Sequence, residues 1–331
     1  MTVERLSPPI LEELLAAAFE RGGAAPANAR SVARALVAAE AEGLKGHGLS
    51  RVASYLDMLR TGKVDGRAVP TRSQPRRAVL AIDAARGFAY PALDLAVAEL
   101  PAIARQEGIA TAPIRRSSHC GAAGHPAERL AAEGLVALVF ANTPGAIAPF
   151  GGSKPAFGTN PIAFAAPLPG RPPVVVDLSV SKVARGNIIA ARQRGEPIPG
   201  DWALDADGNA TTDAERALGG TMVPMAGAKG AALAFMVETL AACLTGANLA
   251  FEASNFYDGS GPPPETGQLV IAIDPSSFGH QRFGERIAAL CGMIEAQEGA
   301  RLPGARRHRL RAAAARDGIA IGADMAKLLG T

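Results

Sequence analysis

Short apolar runs alternate with helical segments through the middle of this 331-residue chain. The runs are bounded as buried strands are, and they comprise residues 78–83, 108–114, 135–140 and 162–166. Between them lie two segments of helical composition, residues 91–106 and 126–133. Because such alternation lets helices cover a sheet, it predicts a layered α/β structure whose strand directions are left open.

The two ends of the chain are predicted to be largely helical. Apolar positions recur at three- and four-residue spacing in residues 8–62, which indicates three helices that end near Gly22, Glu42 and Gly62. Further strands are predicted at 174–177 and 268–274. Further helices are predicted up to Arg194, from Gly227 to about Leu244, over 280–297 and after Gly304.

Composition excludes several classes of protein. The net charge of +3 is small and the basic residues are scattered until residues 301–316, so nucleic acid is not an expected partner. Cys120, Cys243 and Cys291 lie far apart without a CxxC pair, which argues against a disulfide framework or a cysteine zinc site. There is no signal-like N-terminus and no run of ~18 uncharged apolar residues. We therefore expect a reduced, cytoplasmic protein without a membrane partner.

One histidine stands out at a predicted strand-to-helix junction. His119 lies within Arg116-Ser-Ser-His-Cys-Gly-Ala-Ala-Gly124, whose small residues leave room for a ligand. An unperturbed imidazole pKa of about 6.5 suits proton transfer at neutral pH. The alternative is a helix-capping loop in which the histidine only satisfies a backbone carbonyl. The local sequence leaves both interpretations open.

The familiar nucleotide-binding and nucleophile motifs are missing. Gly46-His-Gly48 would need a third glycine at position 51, which is Arg51, and it lies between helices instead of after a strand. No Walker loop, nucleophile elbow or paired-histidine zinc helix occurs. His119, Cys120 and His125 could in principle ligate a metal ion, but adjacent residues converge poorly and no fourth ligand is evident. No metal is therefore expected.

Several polar side chains interrupt Gly-rich, apolar surroundings, and two of them suit anionic ligands. Arg51 has a planar fork that can bind a carboxylate with two hydrogen bonds; an exposed helix arginine is the alternative. Lys229 lies where a helix is predicted to begin, and a charge beside free backbone N–H groups suits a phosphate; a solvated turn lysine is the alternative. The other candidates are His47, His119, Asn142, Thr143, Thr159, Asn160, Asp177 and Ser179.

A series of short motifs, in order over residues 8–320, resembles one family of enzymes. The motifs include Gly46-His-Gly-Leu-Ser-Arg51 with Tyr55, Ser117-Ser-His-Cys-Gly-Ala-Ala-Gly124, Phe157-Gly-Thr-Asn-Pro161, Asp177-Leu-Ser179, Trp202-Ala-Leu-Asp205, Gly227-Ala-Lys-Gly230, Ile273-Asp-Pro275 and Pro303-Gly304. The chain thereby resembles the malate/L-lactate dehydrogenase family, which is unrelated to the Rossmann dehydrogenases. That family includes ureidoglycolate and sulfolactate dehydrogenases and the reductases of piperideine- and pyrroline-2-carboxylate.

The resemblance implies an α/β (α+β) fold of non-Rossmann type. Its NAD(P)-binding sheet is mixed and largely antiparallel, and a helical domain built from both ends of the chain lies beside it. On this basis residues 1–75 are expected to form a helical region that packs with 280–331. Residues 76–279 are expected to form the cofactor- and substrate-binding α/β region. The resemblance also implies a homodimer with the site near its interface.

The resemblance further implies roles for individual residues. His119 would transfer a proton, and the substrate carboxylate would meet Arg51, with Thr143, Thr159 and Asn160 lining the site. Contacts to the cofactor, NAD(P)H, would come from His47, Asp177, Leu178, Ser179, Lys229, Gly230, Gly304, Ala305, Arg306 and Arg309. The chain departs from the family pattern at Gly46, which replaces a serine, at His125-Pro126, which replaces an aromatic pair, and at Asn187, which replaces a lysine. These departures bear on substrate shape and cofactor anchoring.

We therefore expect an oxidoreductase that moves a hydride between NAD(P)H and C2 of a small 2-oxo or 2-hydroxy carboxylate of malate, lactate or sulfolactate type. A cyclic imino-acid reductase is the alternative within the class, because residues 81–92 and 157–167 are similar to that branch. A non-catalytic nucleotide-binding protein on the same fold is the alternative from another class. NAD and NADP are both left open as the cofactor.

Overall fold

In the computed structural model, which describes residues 4–330, the segments of the sequence form eleven strands and eleven α-helices. The strands are β1 (Glu4–Leu6), β2 (Thr71–Arg76), β3 (Val79–Asp83), β4 (Ile109–Ser117), β5 (Val136–Ala141), β6 (Ile162–Leu168), β7 (Arg171–Leu178), β8 (Ala203–Leu204), β9 (Thr221–Met222), β10 (Thr266–Ile273) and β11 (Ile319–Ile321). The helices are α1 (Pro8–Arg21), α2 (Pro26–Ala41), α3 (Val52–Thr61), α4 (Ala89–Glu107), α5 (Gly124–Ala132), α6 (Arg185–Arg194), α7 (Ala214–Gly219), α8 (Ala228–Glu238), α9 (Phe283–Glu295), α10 (Ala305–Asp317) and α11 (Ala323–Leu329). Single 3-10 turns occupy Lys45–His47, Leu49–Arg51 and Pro275–Phe278, and a π-helical turn, Thr239–Cys243, extends α8.

Seven strands form the central sheet in the order β2-β3-β4-β10-β5-β6-β7. Within it β3 and β4 run parallel, and the other neighbouring pairs run antiparallel. β10 enters the middle of the sheet from late in the chain, with Val270 opposite Ala112 of β4 and Val139 of β5. The predicted mixed, largely antiparallel sheet is therefore confirmed.

Small side chains let two helices pack closely against this sheet. Ala112 and Ala137 of the sheet, Ala96 of α4 and Ala127 of α5 are all buried in one core. Because each of these residues carries only a methyl group, helix and sheet can approach each other closely. The core between them can then reach the packing density of organic crystals that is usual in protein interiors. This packing fixes the end of β4 and the start of α5, between which His119 lies.

A second core joins the first three helices to the C-terminal segment. Phe19, Leu36 and Tyr55 of α1, α2 and α3 belong to the same buried cluster as Ile319 of β11 and Leu329 of α11. β1 pairs antiparallel with β11, and α10 lies against α2. Segments from both ends of the chain therefore form one helical layer beside the sheet.

Two elements depart from the predicted division of the chain. β2 lies in the central sheet, although the sequence predicts a helical region up to residue 75; it is exposed throughout and pairs with β3 as an edge strand, where Pro75 is tolerated. α9 packs against β6, where Ile287 and Cys291 belong to a core with Leu168 that is separate from the core of the N-terminal helices.

The remaining predicted helices and strands occur with bounds shifted by a few residues. The helix predicted from Ser50, for example, begins at Val52 after two 3-10 turns. The short pairs β1–β11 and β8–β9 are not predicted by the sequence. Between residues 4 and 330, no helix combines the length and the apolar character that crossing a bilayer requires.

Candidate active site

The loop that carries His119 is fastened to the centre of the sheet. It follows β4 directly, and Thr266 at the start of β10 lies opposite Ser117. The hydroxyl of Thr266 and the side-chain amide of Gln268 both donate to the carbonyl of Ser118, each at 3.3 Å. The backbone of His119 is therefore held by two elements that are themselves part of the core.

The imidazole of His119 is anchored at one nitrogen. Its Nδ1 is hydrogen-bonded to Oη of Tyr55 at 2.5 Å, and Tyr55 is hydrogen-bonded to Oη of Tyr90 at 2.9 Å. Its Nε2 has no hydrogen-bond partner among residues 4–330. Burial, with smaller contributions from the charge of Arg51 and from His47, holds the pKa of His119 well below its usual range. The residue therefore presents an uncharged ring with Nε2 available to a ligand.

A second imidazole lies parallel to the first. The ring centres of His47 and His119 are 5.2 Å apart with an interplanar angle of 14°, and the ring of Phe256 lies 5.2 Å from His119. Burial, followed by the charges of Arg51 and His125, lowers the pKa of His47 to about 4. Its Nδ1 is buried and has no hydrogen-bond partner in the described part of the chain. Both rings are therefore neutral at pH 7.

Arg51 supplies a positive charge beside the two imidazoles. Its Nε donates to the carbonyl of Gly46 at 2.6 Å and its Nη1 to that of Phe256 at 3.4 Å, and its guanidinium carbon lies 4.9 Å from the ring centre of Tyr257. It makes no ion pair within residues 4–330. A guanidinium that is held in place and lacks a counter-ion suits a carboxylate ligand. The alternative of a solvated helix arginine does not describe this packed side chain.

Thr143, Thr159 and Asn160 form one hydrogen-bonded group. Oγ1 of Thr143 accepts from the backbone N–H of Thr159 at 2.9 Å and lies 3.3 Å from its hydroxyl. Asn160 is fully buried, and its side-chain N–H groups donate to Glu238 at 2.8 Å and to the carbonyl of Ala234 at 3.1 Å. The amide of Asn160 is therefore committed to the interior, and the half-buried hydroxyls of the two threonines are the freer polar groups of this set.

Glu238 is a buried acid that the sequence analysis does not single out. It accepts hydrogen bonds from Asn142 at 3.1 Å, from Asn160 at 2.8 Å and from the backbone N–H of Ala250 at 2.7 Å. Burial raises its pKa despite these bonds. It thereby ties the loops after β5 and before β6 to α8. Its signal in the sequence is the single charged residue in the largely apolar run from Ala231 to Leu244.

The end of β7 connects the predicted cofactor residues to the rest of the site. Asp177 accepts from the backbone N–H of Gly124, the first residue of α5, at 2.9 Å, and burial raises its pKa. Beyond Leu178 and Ser179, Val180 donates to the carbonyl of Thr159 at 2.9 Å and accepts from the N–H of Met225 at 2.8 Å. The stretch 177–180 therefore contacts the His119 loop, the threonine pair and the approach to α8.

Two glycines allow close approach at the starts of α8 and α10. A Cβ at Gly230 would lie 1.9 Å from the carbonyl oxygen of Met225. Gly304 has φ +82° and a Cβ there would lie 3.0 Å from the carbonyl oxygen of Val175, on β7. Lys229 is the second residue of α8, and Ala305 opens α10. Both helix starts thus lie along the same strand end as Asp177.

These surroundings fit a dinucleotide. Lys229, Arg306 and Arg309 are exposed and form no ion pair within the described residues, so their charges are free for an anionic phosphate. The orphaned Nδ1 of His47 is a buried polar atom that still needs a partner. Arg307, which lies between the predicted Arg306 and Arg309, instead points inward, with Nη1 3.8 Å from Asp177.

The metal-binding alternative finds no support in the arrangement of its residues. The Sγ of Cys120 lies 3.7 Å from the carbonyl of Gly121, and Nε2 of His125 is 3.0 Å from Glu42. Across residues 4–330, no three metal-ligating side chains converge.

Known structures share this fold over almost the whole chain. Δ1-piperideine-2-carboxylate reductase from Pseudomonas syringae pv. tomato is 39% identical, with a TM-score of 0.93 and 98% of both chains covered. Sulfolactate dehydrogenase from Methanocaldococcus jannaschii is 27% identical, with a TM-score of 0.89 over 98% of this chain and 95% of that one. Fold and site together define an oxidoreductase of the dehydrogenase and reductase class.

The chain belongs to the malate/L-lactate dehydrogenase family, whose sequence model matches residues 6–329. It is 49% identical over 300 residues to (2R)-3-sulfolactate dehydrogenase (NADP(+)) of Chromohalobacter salexigens, covering 91% of this chain and 90% of the relative. It is 42% identical over 325 residues to a Δ1-pyrroline-2-carboxylate/Δ1-piperideine-2-carboxylate reductase of Pseudomonas putida, covering 97% and 94%. The predicted family and enzyme class are confirmed, and the non-catalytic alternative is set aside.

Proposed function

We propose that this enzyme transfers a hydride between a nicotinamide cofactor and C2 of a small carboxylate that carries a 2-oxo, 2-hydroxy or 2-imino group. The observation that carries the proposal is Arg51, a fixed guanidinium without a counter-ion beside the free Nε2 of His119. A carboxylate bound to that fork brings the adjacent C2 substituent toward an acid–base group, which is catalysis by orientation. The names of the relatives, sulfolactate dehydrogenase and pyrroline-2-carboxylate reductase, fit the same chemistry.

His119 is the residue we assign to proton transfer. In oxidation its Nε2 takes the proton of the substrate hydroxyl, and in reduction it gives that proton back. When bound, the nicotinamide supplies or accepts the hydride. His47 is a weaker candidate because its Nδ1 lacks a partner, whereas Nδ1 of His119 is held by Tyr55. The ring of Phe256 packs against that of His119 with 5.2 Å between the ring centres.

We place the cofactor along the end of β7. Asp177, Leu178 and Ser179 form that strand end, and the contacts of Val180 and Gly304 bring α8 and α10 alongside it. The phosphates and adenosine would be held by Lys229, Gly230, Gly304, Ala305, Arg306 and Arg309. His47 would lie on the nicotinamide side. Thr143 and Thr159 would line the substrate pocket, and Asn160 would support them from behind.

The test is a panel of substrates and cofactors. Oxidation of NADH and of NADPH is followed with pyruvate, oxaloacetate, sulfopyruvate and Δ1-piperideine-2-carboxylate. Turnover of an oxo acid identifies a dehydrogenase of the sulfolactate or malate type. Turnover of the cyclic imine identifies a reductase like those named among the Pseudomonas relatives. No turnover of any of the four with either cofactor would contradict the proposal.

The role of His119 is tested by a matched pair of variants. His119→Gln should lower kcat by about 10²- to 10⁴-fold, the usual contribution of a general acid–base, while NAD(P)H binding measured by fluorescence stays nearly unchanged. His47→Gln serves as the comparison and should act mainly on cofactor affinity. If the loss of kcat follows His47→Gln and spares His119→Gln, the two roles are exchanged.

We also propose a homodimer in a reducing, cytoplasmic setting. Several large apolar side chains on and around α8 are exposed, among them Phe235, Met236 and Leu244. The three cysteines are free, and two of them are buried, which fits a compartment that keeps thiols reduced. Recovery of the protein outside the cytoplasmic fraction would contradict the location.

A further inference from the structure

A line of hydrogen-bonding groups leads from His119 into the protein. Nδ1 of His119 lies 2.5 Å from Oη of Tyr55, which lies 2.9 Å from Oη of Tyr90. All three side chains are buried, and α3 and α4 supply the two tyrosines. Gly121 makes room for the far end of the line, because a Cβ there would lie 2.7 Å from Oη of Tyr90. The line is therefore continuous and closely packed.

Tyr90, the last residue of the line, also lines a cavity of about 890 Å³. The cavity lies among α2, α4 and α5, and polar side chains such as Ser31 and Asp94 contribute to its lining with Tyr90. A cavity of this size with polar partners has room for several waters, each of which occupies ~30 Å³ in the liquid. Arg51 and His47, which face the proposed substrate, are not among the lining residues. The cavity therefore borders the line at Tyr90, and Cys120 and Ala122 of the His119 loop also line it.

His119 needs a source of protons because its surroundings keep the imidazole uncharged. It is buried, the cation of Arg51 and the ring of His47 face it, and no carboxylate among residues 4–330 hydrogen-bonds to it. A histidine in a catalytic triad, by contrast, has an aspartate that stabilises its imidazolium. A neutral imidazole that gives up the proton of Nε2 must gain another at Nδ1, or it becomes an anion in an apolar pocket.

We propose that Tyr55 and Tyr90 form a proton relay between water in the cavity and His119, an inference that rests on the proposed function. In reduction the Nε2–H bond of His119 breaks as its proton passes to the substrate oxygen or nitrogen. The O–H bond of Tyr55 breaks as an N–H bond forms at Nδ1, Tyr55 takes the proton of Tyr90, and Tyr90 takes one from a hydronium ion in the cavity, which becomes water. His119 is then the neutral Nδ1–H tautomer, and proton exchange with water in the emptied substrate pocket restores the Nε2–H tautomer before the next turnover. One solvent proton enters for each proton delivered, and oxidation runs these steps in reverse.

The two tyrosines suit this task. A hydroxyl can donate and accept a hydrogen bond at the same time, as a relay requires. Burial raises the pKa of Tyr55 to about 12 and the pKa of Tyr90 well above its usual value, so both groups keep their protons at neutral pH. Cys120, the thiol next to His119, also stays protonated, because burial raises its pKa to about 12. The relay carries protons without storing charge.

The first test cuts the relay at its far end. Tyr90→Phe keeps the ring and the Tyr55–His119 contact but removes the link to the cavity. The single-turnover rate of hydride transfer should fall by about tenfold or more, within the range of general acid–base effects, with little change in KM. In mixtures of H2O and D2O the wild-type rate should depend on deuterium content along a curve, because more than one proton moves, and the variant should give a straight line.

A matched control removes one buried hydroxyl elsewhere. Thr211 is buried, and its Oγ1 accepts from the N–H of Asp213 at 3.1 Å on the α6–α7 side of the molecule. Thr211→Val should leave the rate and the curved deuterium dependence unchanged. A Tyr90→Phe enzyme with a rate within about twofold of wild type and the same curved dependence would overturn the relay.

The second test needs no substrate and no cofactor. In protein labelled with ¹⁵N at its histidines, the spectrum of His119, identified by its loss in His119→Gln, should show the neutral tautomer with the proton on Nε2. Tyr55→Phe should shift the Nδ1 resonance and mix the tautomers, because the hydroxyl that donates to Nδ1 is gone. If Tyr55→Phe leaves the Nδ1 resonance and the tautomer unchanged, the relay is overturned even where the enzyme turns over its substrate. Failure of the substrate panel, with the expected response to Tyr55→Phe, would count against the proposed function and leave the hydrogen-bonded line standing.

Discussion

Arg51 is held by two backbone carbonyls and an aromatic ring, which restricts the direction in which its fork can face. If the fork binds the substrate carboxylate through two hydrogen bonds, a lysine cannot replace it, because an ammonium is a point charge. Arg51→Lys should therefore lower kcat/KM for the acid by roughly 10- to 150-fold, which corresponds to about 1.5–3 kcal/mol, while cofactor affinity barely changes.

The comparison for Arg51 uses a second variant and a second substrate. Arg60, near the C-terminal end of α3, is exposed and pairs with Asp57 at 2.6 Å. Arg60→Lys should therefore change kcat/KM by about twofold at most. The methyl ester of the preferred acid lacks the carboxylate charge and should respond weakly to Arg51→Lys. An equal loss of kcat/KM for acid and ester would mean that Arg51 does not bind the carboxylate.

At the scale of single residues, the sequence identified groups whose chemistry is unusual for their place. His47, Arg51 and His119 could be singled out because each interrupts a Gly-rich or small-residue stretch, which is a local signal, and the fold brings the three together. Tyr90 and Phe256 have no such signal: an aromatic residue at a helix start or in a loop is ordinarily part of a core. Their contacts with the site are tertiary and depend on how α4 and the loop before β10 are packed.

At the scale of elements, Glu42 joins α2 to α5 and α10. It is fully buried, lies 3.0 Å from His125 and 2.7 Å from Arg307, and also pairs with Arg311. Removing one charged member of such a buried group leaves the opposite charges buried without a partner, which destabilises the folded state by about 3–5 kcal/mol. We expect Glu42→Gln to lower the free energy of unfolding by that amount in urea, whereas Glu133→Gln, at an exposed pair with Arg105, should change it by about 0.5 kcal/mol or less. Equal effects of the two would contradict this role.

The same carboxylate gives the stability a dependence on pH. Burial alone would raise the pKa of Glu42, but the hydrogen bond and charge of His125, with Arg307 and Arg311, outweigh it and lower the pKa to about 2 from an ordinary 4.5. A lowered carboxyl pKa stabilises the fold above the unfolded value and loses that effect as the pH falls through the folded one. The stability difference between wild type and Glu42→Gln should therefore be full above about pH 5 and shrink toward pH 2. A difference that stays constant over this range would contradict the assignment.

The elements that the sequence failed to predict share a physical reason. β2, with the sequence Thr-Arg-Ser-Gln-Pro-Arg, has no alternating pattern because both of its faces are exposed and only its backbone is paired. β1 and β11 are three residues each and pair Glu4 with Ile321, from opposite ends of the chain. Helices and buried strands have local periodicity, whereas such short pairings depend on tertiary contacts.

At the scale of the whole molecule, the exposed apolar side chains around α8 predict a dimer. Phe235 is 64% exposed and touches Phe157 edge to face, and Leu244 is 62% exposed. Sedimentation velocity at micromolar concentration should give twice the 33.8 kDa chain mass, and Phe235→Glu should shift the protein toward monomer. Phe278→Glu is the matched control, because Phe278 is 62% exposed on the turn after β10. A wild-type monomer, or an equal effect of both variants, would contradict this interface.

The place of β10 in the sheet has a consequence for the growing chain. Without residues 266–273, β4 and β5 would lack a neighbour on their inner edges, whose N–H and C=O groups would be unpaired. The last insertion closes both edges and supplies Thr266 and Gln268 to the His119 loop. Contacts over such sequence separations slow folding. Nascent chains that stall before β10 should therefore need chaperones, and catalytic competence should arrive only after β10 has been synthesised.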